Sequence, residues 1–365
     1  MIYLFYFVLF INLIFSIIVL SNFFFNNIYL KRLTNSTNSK KNIRNLVSVL
    51  IPARNEQKNI GNLLNDLINQ NYKNIEIIIF NDCSTDKTKD VVEQFIKIDK
   101  RIKLINSNYL PKGWFGKNFA CYNLAKVAKG DFFLFLDADV RIKDNLIRDV
   151  ISFIEDEKIS FISIFPIQKM VSLSEKIFIP IIYNILLSLL PLYLVLRSKD
   201  FHFSAAIGQF MFFKKETYLK YQPHKLFKES KAEDIEIASF LKNNNEKICC
   251  LVGDRRLTCR MYQNYYEVVN GFSRFINYIF FKSYLLAFVF WFIEFISFVF
   301  IFYFKSLFLL FLILLKIFFI SLTSRQNIIL NLVFSPLNNF SLIFIIFRSY
   351  IANKSRKIFW KDRIL

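Results

Sequence analysis

The chain has 365 residues, 54% of them hydrophobic, with 46 Phe and 17 Tyr but only 7 Gly and 7 Pro, where average usage would give roughly 25 Gly and 18 Pro. A mean hydropathy of +0.35 alongside a net charge of +20 excludes a disordered chain, a collagen and a coiled coil, and suits one soluble domain plus a set of membrane spans. Five Cys without a CxxC pair, and only His202 and His224 as imidazoles, argue against a zinc site or a disulfide framework and for reduced thiols.

In chain order, Ile2 to Phe25 is a continuous apolar run within thirty residues that carry no charge, long enough for a bilayer core that needs about 20 residues. With no basic segment ahead of it and no small-residue cleavage site behind it, residues 1–30 are expected to be an anchor and not a cleaved signal. Residues 31–45 form a basic linker, with Lys31, Arg32, Lys40, Lys41 and Arg44 and no acidic residue among them. By the positive-inside rule this end of the first helix faces the cytoplasm.

From Leu46 apolar runs alternate with helix-periodic segments. Strands are expected at Leu46 to Ile51, Ile75 to Phe80, Ile102 to Ile105, Phe132 to Leu136 and Ile159 to Ile164. Helices are expected at Glu56 to Gln70, Thr88 to Lys97 and Lys117 to Ala128, with another before the last strand. This order predicts an α/β domain over 46–283 with a mostly parallel sheet covered on both faces. Ligands of such sheets bind at the carboxyl ends of the strands. Three polar clusters fall at those ends: Pro52-Ala53-Arg54-Asn55-Glu56, Asn81-Asp82-Cys83-Ser84-Thr85-Asp86 and Asp137-Ala138-Asp139.

Within this domain Ile177 to Leu196, interrupted by Pro180 and Pro191, reads as a surface-lying membrane contact or as deep core. Three further hydrophobic segments fill 284–347: Tyr284 to Phe304, Ser306 to Ser324 and Gln326 to Phe347. The tail, 348–365, sets Arg348, Lys354, Arg356, Lys357, Lys361 and Arg363 against Asp362 alone, which places it in the cytoplasm too. An even number of crossings must separate the two basic regions, so one segment is expected to be re-entrant or interfacial. The last, interrupted by Pro336, Asn338 and Asn339, is the expected one. About half of the positive charge borders these segments, which points to an anionic membrane surface as the partner and away from nucleic acid.

The clusters also suggest chemistry. Asp137 and Asp139, one residue apart at a strand end, suit a hard divalent cation, Mg or Mn, that keeps open positions for phosphate oxygens; otherwise they are a turn cap and a solvated strand end. Asp82 is placed to accept hydrogen bonds from a nucleoside or to open an Asx-turn, with Asp86 capping the next helix. Glu233-Asp234 opens a helix, where a carboxylate gains from the helix dipole or acts as a general base.

Together these motifs resemble the inverting family-2 glycosyltransferases of the GT-A fold, and more narrowly the membrane-anchored members associated with carotenoid and hopanoid glycosylation. The narrower resemblance rests on Leu110-Pro111-Lys112-Gly113-Trp114-Phe115-Gly116-Lys117, Gly208-Gln209-Phe210, His224, Arg260-Met261-Tyr262, Gly271-Phe272-Ser273 and Trp360-Lys361-Asp362-Arg363. It implies that Pro52, Glu56, Asp82, Lys117, Asp137 and Arg260 bind the donor, that Asp139 with Asp137 holds the metal, and that Asp234 is the catalytic base. Trp114, Gln209, His224 and Glu233 become acceptor or supporting candidates. The implied reaction moves one sugar from a nucleotide sugar, UDP-linked, to a membrane lipid or isoprenoid at the cytoplasmic face of the cell membrane. A polyprenyl-phosphate or ceramide-type transferase, or a non-catalytic scaffold on this fold, are the alternatives. Asn81 departs from the family's first Asp, and the QxxRW motif of processive synthases is absent, with Ser273-Arg274-Phe275 in that region.

Overall fold

The computed structural model describes residues 1–35, 44–355, 359–360 and 363–364. Lys40 and Lys41 of the basic linker, and Arg356, Lys357, Lys361 and Asp362 of the tail, lie outside the described residues. The chain opens with α1 (Ile2–Asn35) and then runs β1 (Val47–Ala53), α2 (Ile60–Ile68), β2 (Ile75–Asp82), α3 (Thr88–Ile98), β3 (Ile102–Ser107), α4 (Gly116–Val127), β4 (Phe132–Leu136), β5 (Val140–Ile142), α5 (Leu146–Glu157), β6 (Phe161–Phe165) and β7 (Ile167–Gln168). It continues through α6 (Leu173–Leu189), α7 (Leu192–Arg197), β8 (Phe210–Lys214), α8 (Lys215–Tyr221), α9 (Pro223–Leu226), α10 (Glu233–Asn243), β9 (Ile248–Val252) and β10 (Leu257–Cys259). The helices α11 (Tyr265–Ile279), α12 (Tyr284–Phe304), α13 (Leu307–Ser324) and α14 (Ile328–Ser355) precede a short terminal hairpin. Two compact units result: a sheet unit of Ile28–Ile167 and Val195–Arg260, and a helical unit of Met1–Asn27, Gln168–Leu194 and Met261–Leu365. The expected single domain over 46–283 therefore loses 168–194 and 261–283 to the helical unit.

The sheet unit is built on seven strands in the order β3-β2-β1-β4-β8-β6-β9. β1 pairs in parallel with both β2 and β4, so the chain order reverses across β1 and opens the crevice that such sheets use for ligands. All eight residues of β2 and all five of β4 are buried, as continuous apolar runs covered on both faces must be. α2 buries Ile60, Leu63, Leu64 and Leu67, the 3–4 spacing of one helix face. β8 departs from the expected parallel pattern: it runs antiparallel between β4 and β6. β2 also extends to Asp82, two residues past the expected end.

Among the described residues four helices are long and apolar enough to cross a membrane: α1, α12, α13 and Ile328–Lys354 of α14. Val8, Phe300, Leu309 and Ile313 pack as one core cluster. Phe5 meets Phe304, Asn12 bonds Ser297 over 2.8 Å and Phe15 meets Phe290, so α12 runs antiparallel to α1. Val8 beside Leu309 and Phe23 beside Phe319 make α13 parallel to α1. Within this bundle Lys316 pairs with Glu294 at 2.5 Å, both buried.

α14 takes a different course. Asn331, near its start, bonds Ser321 near the end of α13 over 2.9 Å. Its middle reaches α12, where the Trp291 indole donates to the Asn339 carbonyl. Toward its end Ser349 bonds Tyr284, the first residue of α12. Both ends of α14 thus lie at the same end of the bundle. The expected interruption at Pro336 is not a break: the helix is continuous, and the Ser335 hydroxyl donates over 2.8 Å to the Leu332 carbonyl that Pro336 cannot serve. α6 is likewise continuous through Pro180, while Pro191 ends it. The freed groups go to Asn22 of α1, whose amide donates to the Leu187 and Leu190 carbonyls and accepts from the Leu192 N–H.

Candidate active site

The polar clusters lie at the carboxyl ends of β1, β2 and β4, which neighbour one another in the sheet. After β1, Asn55 turns through φ +52°, and its loop is laced to the loop after β2. Glu56 N–H donates to Thr88 Oγ1, Gln57 N–H to Asp86, and Thr85 N–H to Asn55 Oδ1. The Arg54 guanidinium, 8% exposed, donates to the carbonyls of Asp82 and Cys83. Asp86 accepts from the Thr88 N–H and hydroxyl at the start of α3, the expected cap. Asn81 ties β2 to Asn106 of β3 and accepts from the Ser84 N–H, so its carboxamide builds the loop. Pro52 lies opposite Phe80 in the β1–β2 register.

The chemical centre forms where α4, β4, the residue before β8 and α10 converge. The Lys117 ammonium lies 2.9 Å from Asp137 and 3.2 Å from Glu233, and 3.4 Å from the Gly208 carbonyl. Asp234 accepts from the Gly208 N–H over 2.7 Å at one oxygen and from the Ile235 N–H over 2.9 Å at the other. Gly208 has no room for a side chain: a Cβ there would fall 2.5 Å from Lys117 Nζ, 3.3 Å from Glu233 Oε1 and 3.5 Å from Asp234 Oδ2. Lys117, Asp137, Glu233 and Asp234, taken from stretches more than a hundred residues apart, are thereby brought together.

Their charges are interdependent. Burial alone would push the Lys117 ammonium down, but Asp137 and Glu233 outweigh it and hold it well above its usual range. Burial pushes the Glu233 carboxyl up, yet Lys117 and the backbone hold it below its ordinary value. Asp234 has the opposite outcome: burial and then the neighbouring Glu233 charge push it up to about 6. Two adjacent carboxylates are thus split into a neutralised anchor and a more basic partner.

Asp139 lies beside the buried Cys259 thiol, which burial and the charges of Asp139 and Asp137 push well above its usual range. Gln209, 4% exposed, donates to the same sulfur over 3.0 Å and so ties the turn before β8 to β10. His224 is fully buried, with its ring 4.6 Å from that of Phe135 and Nδ1 2.9 Å from the Tyr218 hydroxyl. Burial pushes its imidazole down to about 3. It is a neutral residue of the core, packed on Phe135 and Tyr218. Trp114 stacks on Tyr122 at 5.3 Å and meets the edge of Phe119. Arg260 follows β10 directly.

Among the described residues no three His, Cys, Asp or Glu converge as a metal cage. The donor set present, Asp137 and Asp139 on one turn, fits a hard divalent cation that draws its remaining ligands from a diphosphate and water. The candidate residues read from the sequence do not include Gly208; its signal was its place at the head of the Gly208-Gln209-Phe210 motif in a chain with only seven glycines.

Residues 48–222 match the family model described as "Glycosyl transferase family 2". This chain carries a family 2 glycosyltransferase domain. It is 40% identical over 116 residues to the UDP-Glc:alpha-D-GlcNAc-diphosphoundecaprenol beta-1,3-glucosyltransferase WfaP of Escherichia coli, covering 32% of this chain and 44% of that one. It is 35% identical over 100 residues to the 4,4'-diaponeurosporenoate glycosyltransferase of Staphylococcus haemolyticus, covering 27% and 25%. The aligned regions span from a quarter to under half of these relatives. The fold is similar to that of the mannosyltransferase PcManGT from Pyrobaculum calidifontis, solved with GDP-Man and Mn2+, with a TM-score of 0.50 at 13% identity over 94% of this chain and 99% of that one. The family match ends before Glu233 and Asp234.

Proposed function

We infer that this domain is an inverting glycosyltransferase that moves a single sugar from a nucleotide sugar, UDP-linked, to a membrane lipid or isoprenoid acceptor. The observation that carries the reading is the convergence of Lys117, Asp137, Glu233 and Asp234 on Gly208 at the carboxyl ends of the strands. Support for the acceptor class comes from the apolar helices and from relatives named for diphosphoundecaprenol and diaponeurosporenoate acceptors.

Asp234 is the base. With its carboxyl held up near 6 it is ionised at neutral pH yet accepts a proton more readily than an ordinary carboxylate. The Gly208 N–H fixes one of its oxygens, so its orientation is set before the acceptor arrives. It takes the proton of the acceptor hydroxyl as that oxygen attacks the anomeric carbon from the face opposite the leaving nucleoside diphosphate. Glu233 and Asp137 hold the Lys117 ammonium beside this centre, where it opposes negative charge on the diphosphate. A divalent cation on Asp139 and Asp137 would neutralise further charge on that leaving group. Glu56, Asp82 and Pro52 line the nucleoside side, with Arg260 a further donor contact and Trp114 an acceptor-side contact.

In the membrane, we read α1, α12 and α13 as crossings and α14 as lying along or dipping into the cytoplasmic surface beside α6. Two crossings then separate the basic regions, the sheet unit faces the cytoplasm and both basic flanks meet anionic headgroups. Purified protein with a panel of nucleotide sugars and a lipid extract tests the reaction. Asp234→Asn should abolish transfer while leaving donor binding within about twofold; full activity in that variant would sink the assignment.

A further inference from the structure

The helical unit has a polar face that its own side chains do not satisfy. On α11, Asn270, Arg274 and Asn277 are spaced by four and three residues and share one side of the helix. The Arg274 Nε and the Asn277 Oδ1 are buried atoms with no hydrogen-bond partner, and so is the hydroxyl of adjacent Ser273. Among the described residues Arg274 has no carboxylate beside it. Arg348 of α14 reaches onto the same face, donating to Asn270 Oδ1 over 2.7 Å. Two guanidinium groups and an amide therefore border one strip of the helix, with a donor (Arg274 Nε), a hydroxyl (Ser273) and an acceptor (Asn277 Oδ1) left unmet. Leaving such groups unsatisfied is costly; an anionic phosphate would accept from Arg274 Nε and the Ser273 hydroxyl, and a headgroup hydroxyl would donate to Asn277 Oδ1.

The missing anion is supplied by no carboxylate among the described residues of this unit. Its sequence holds four acidic residues, Glu175, Glu267, Glu294 and Asp362, against thirteen lysines and arginines. Glu175 closes the capping box of α6, Glu267 accepts from Gln263 and Asn264, and Glu294 pairs with Lys316. The strip also has a defined level. Arg348 precedes Ser349, which bonds Tyr284 at the very start of the apolar α12, and Phe280 at the end of α11 packs on Phe290 of α12. That is where a membrane helix leaves the hydrocarbon and the phosphates of headgroups begin. We propose that this face of α11, completed by Arg348, holds the phosphate of an anionic membrane phospholipid. Arg274 makes the charge-assisted contact from the protein side, and Asn277 and Ser273 turn toward the remaining headgroup oxygens and hydroxyls.

The site goes beyond sugar transfer, so it is tested without turnover. Full-length protein in detergent is supplied with phosphatidylglycerol and phosphatidylcholine in equal amounts, and the lipid retained per folded protein is read by native mass spectrometry. The wild type should retain phosphatidylglycerol in preference. Arg274→Gln and Arg348→Gln should each lose about fivefold of that preference, the contribution of one cation near a headgroup, while Arg274→Lys keeps most of it. Arg325→Gln, at the end of α13, serves as the control. Unchanged preference in Arg274→Gln, or an equal loss in Arg325→Gln, overturns the proposal. So does displacement of the lipid by millimolar inorganic phosphate, which would make this a free-anion site, or selective displacement by a phosphorylated isoprenoid, which would make it part of the acceptor path.

Discussion

The Gly208 N–H donates to Asp234 Oδ2 over 2.7 Å, and the space in front of that glycine is filled by the Lys117 ammonium. One backbone position thus orients the proposed base and makes room for the cation that offsets its neighbour. Gly208→Ala would place a Cβ within 2.5 Å of Lys117 Nζ. The obstacle is the mobile end of a side chain, so the variant should fold with a melting temperature within a few degrees of the wild type. Its kcat should fall by about a hundredfold, the scale of a catalytic group displaced by about 1 Å. Wild-type turnover in Gly208→Ala would contradict the arrangement.

Lys117 is predicted to matter for both stability and donor binding. Lys117→Gln leaves Glu233 and Asp137 facing each other without their cation. A loss of about 2 kcal/mol is expected, at the lower end for a buried charge left unpaired because these groups are partly solvated. Denaturant titration of Lys117→Gln and Lys117→Gln/Glu233→Gln checks this: the second change should restore part of the loss, since it removes one of the stranded charges. Donor affinity should remain weak in both.

The pH profile follows from Asp234. Burial and Glu233 raise its carboxyl to about 6, so below that value the base is protonated and transfer to a hydroxyl acceptor should fall tenfold per pH unit. The same group affects stability with the opposite sense. Its folded value lies above the ordinary 3.8, so the native state binds more protons between the two, and the stability it contributes is full below about pH 4 and lost as pH rises through 6. The wild-type rate against pH checks the first statement, and Asp234→Asn, which abolishes transfer, should flatten the curve of melting temperature against pH in this window.

In the helical unit, Glu294 and Lys316 form a buried pair. Glu294→Leu strands the ammonium in an apolar bundle and should cost about 3 kcal/mol. The double variant Glu294→Leu/Lys316→Leu should recover most of it, because attraction inside the bundle barely repays the desolvation of two ions. Thermal unfolding in detergent distinguishes the outcomes; a double variant less stable than Glu294→Leu would show that the pair is worth more than apolar packing.

Much of the sheet unit is legible in the sequence. β1, β2 and β4 are apolar runs that stop at polar clusters, and the first helix and Tyr284–Phe304 are bounded by the same change from apolar to polar residues. β8 is less legible: Phe210–Lys214 carries no alternation because both its faces are buried, and its antiparallel insertion between β4 and β6 is a property of the sheet order. The burial of His224 against Phe135 and of Gln209 against Cys259 is not legible in the sequence, because polar residues beside a motif look exposed in one dimension.

The sequence by itself determined where apolar runs end and polar clusters begin, because the hydrophobic effect acts on local composition. It therefore fixes the strands, the candidate spans and the acidic pair Asp137 and Asp139. Only the tertiary structure decided which of those groups meet. Gly208 and Asp234 share a hydrogen bond across 26 residues, and Lys117 reaches Glu233 across a far longer stretch. α14, as apolar as a span, returns to the end of the bundle from which it starts. In each case the deciding term is a pairwise contact, a charge meeting its counter-charge or a donor its acceptor, and such terms exist only once the chain is folded.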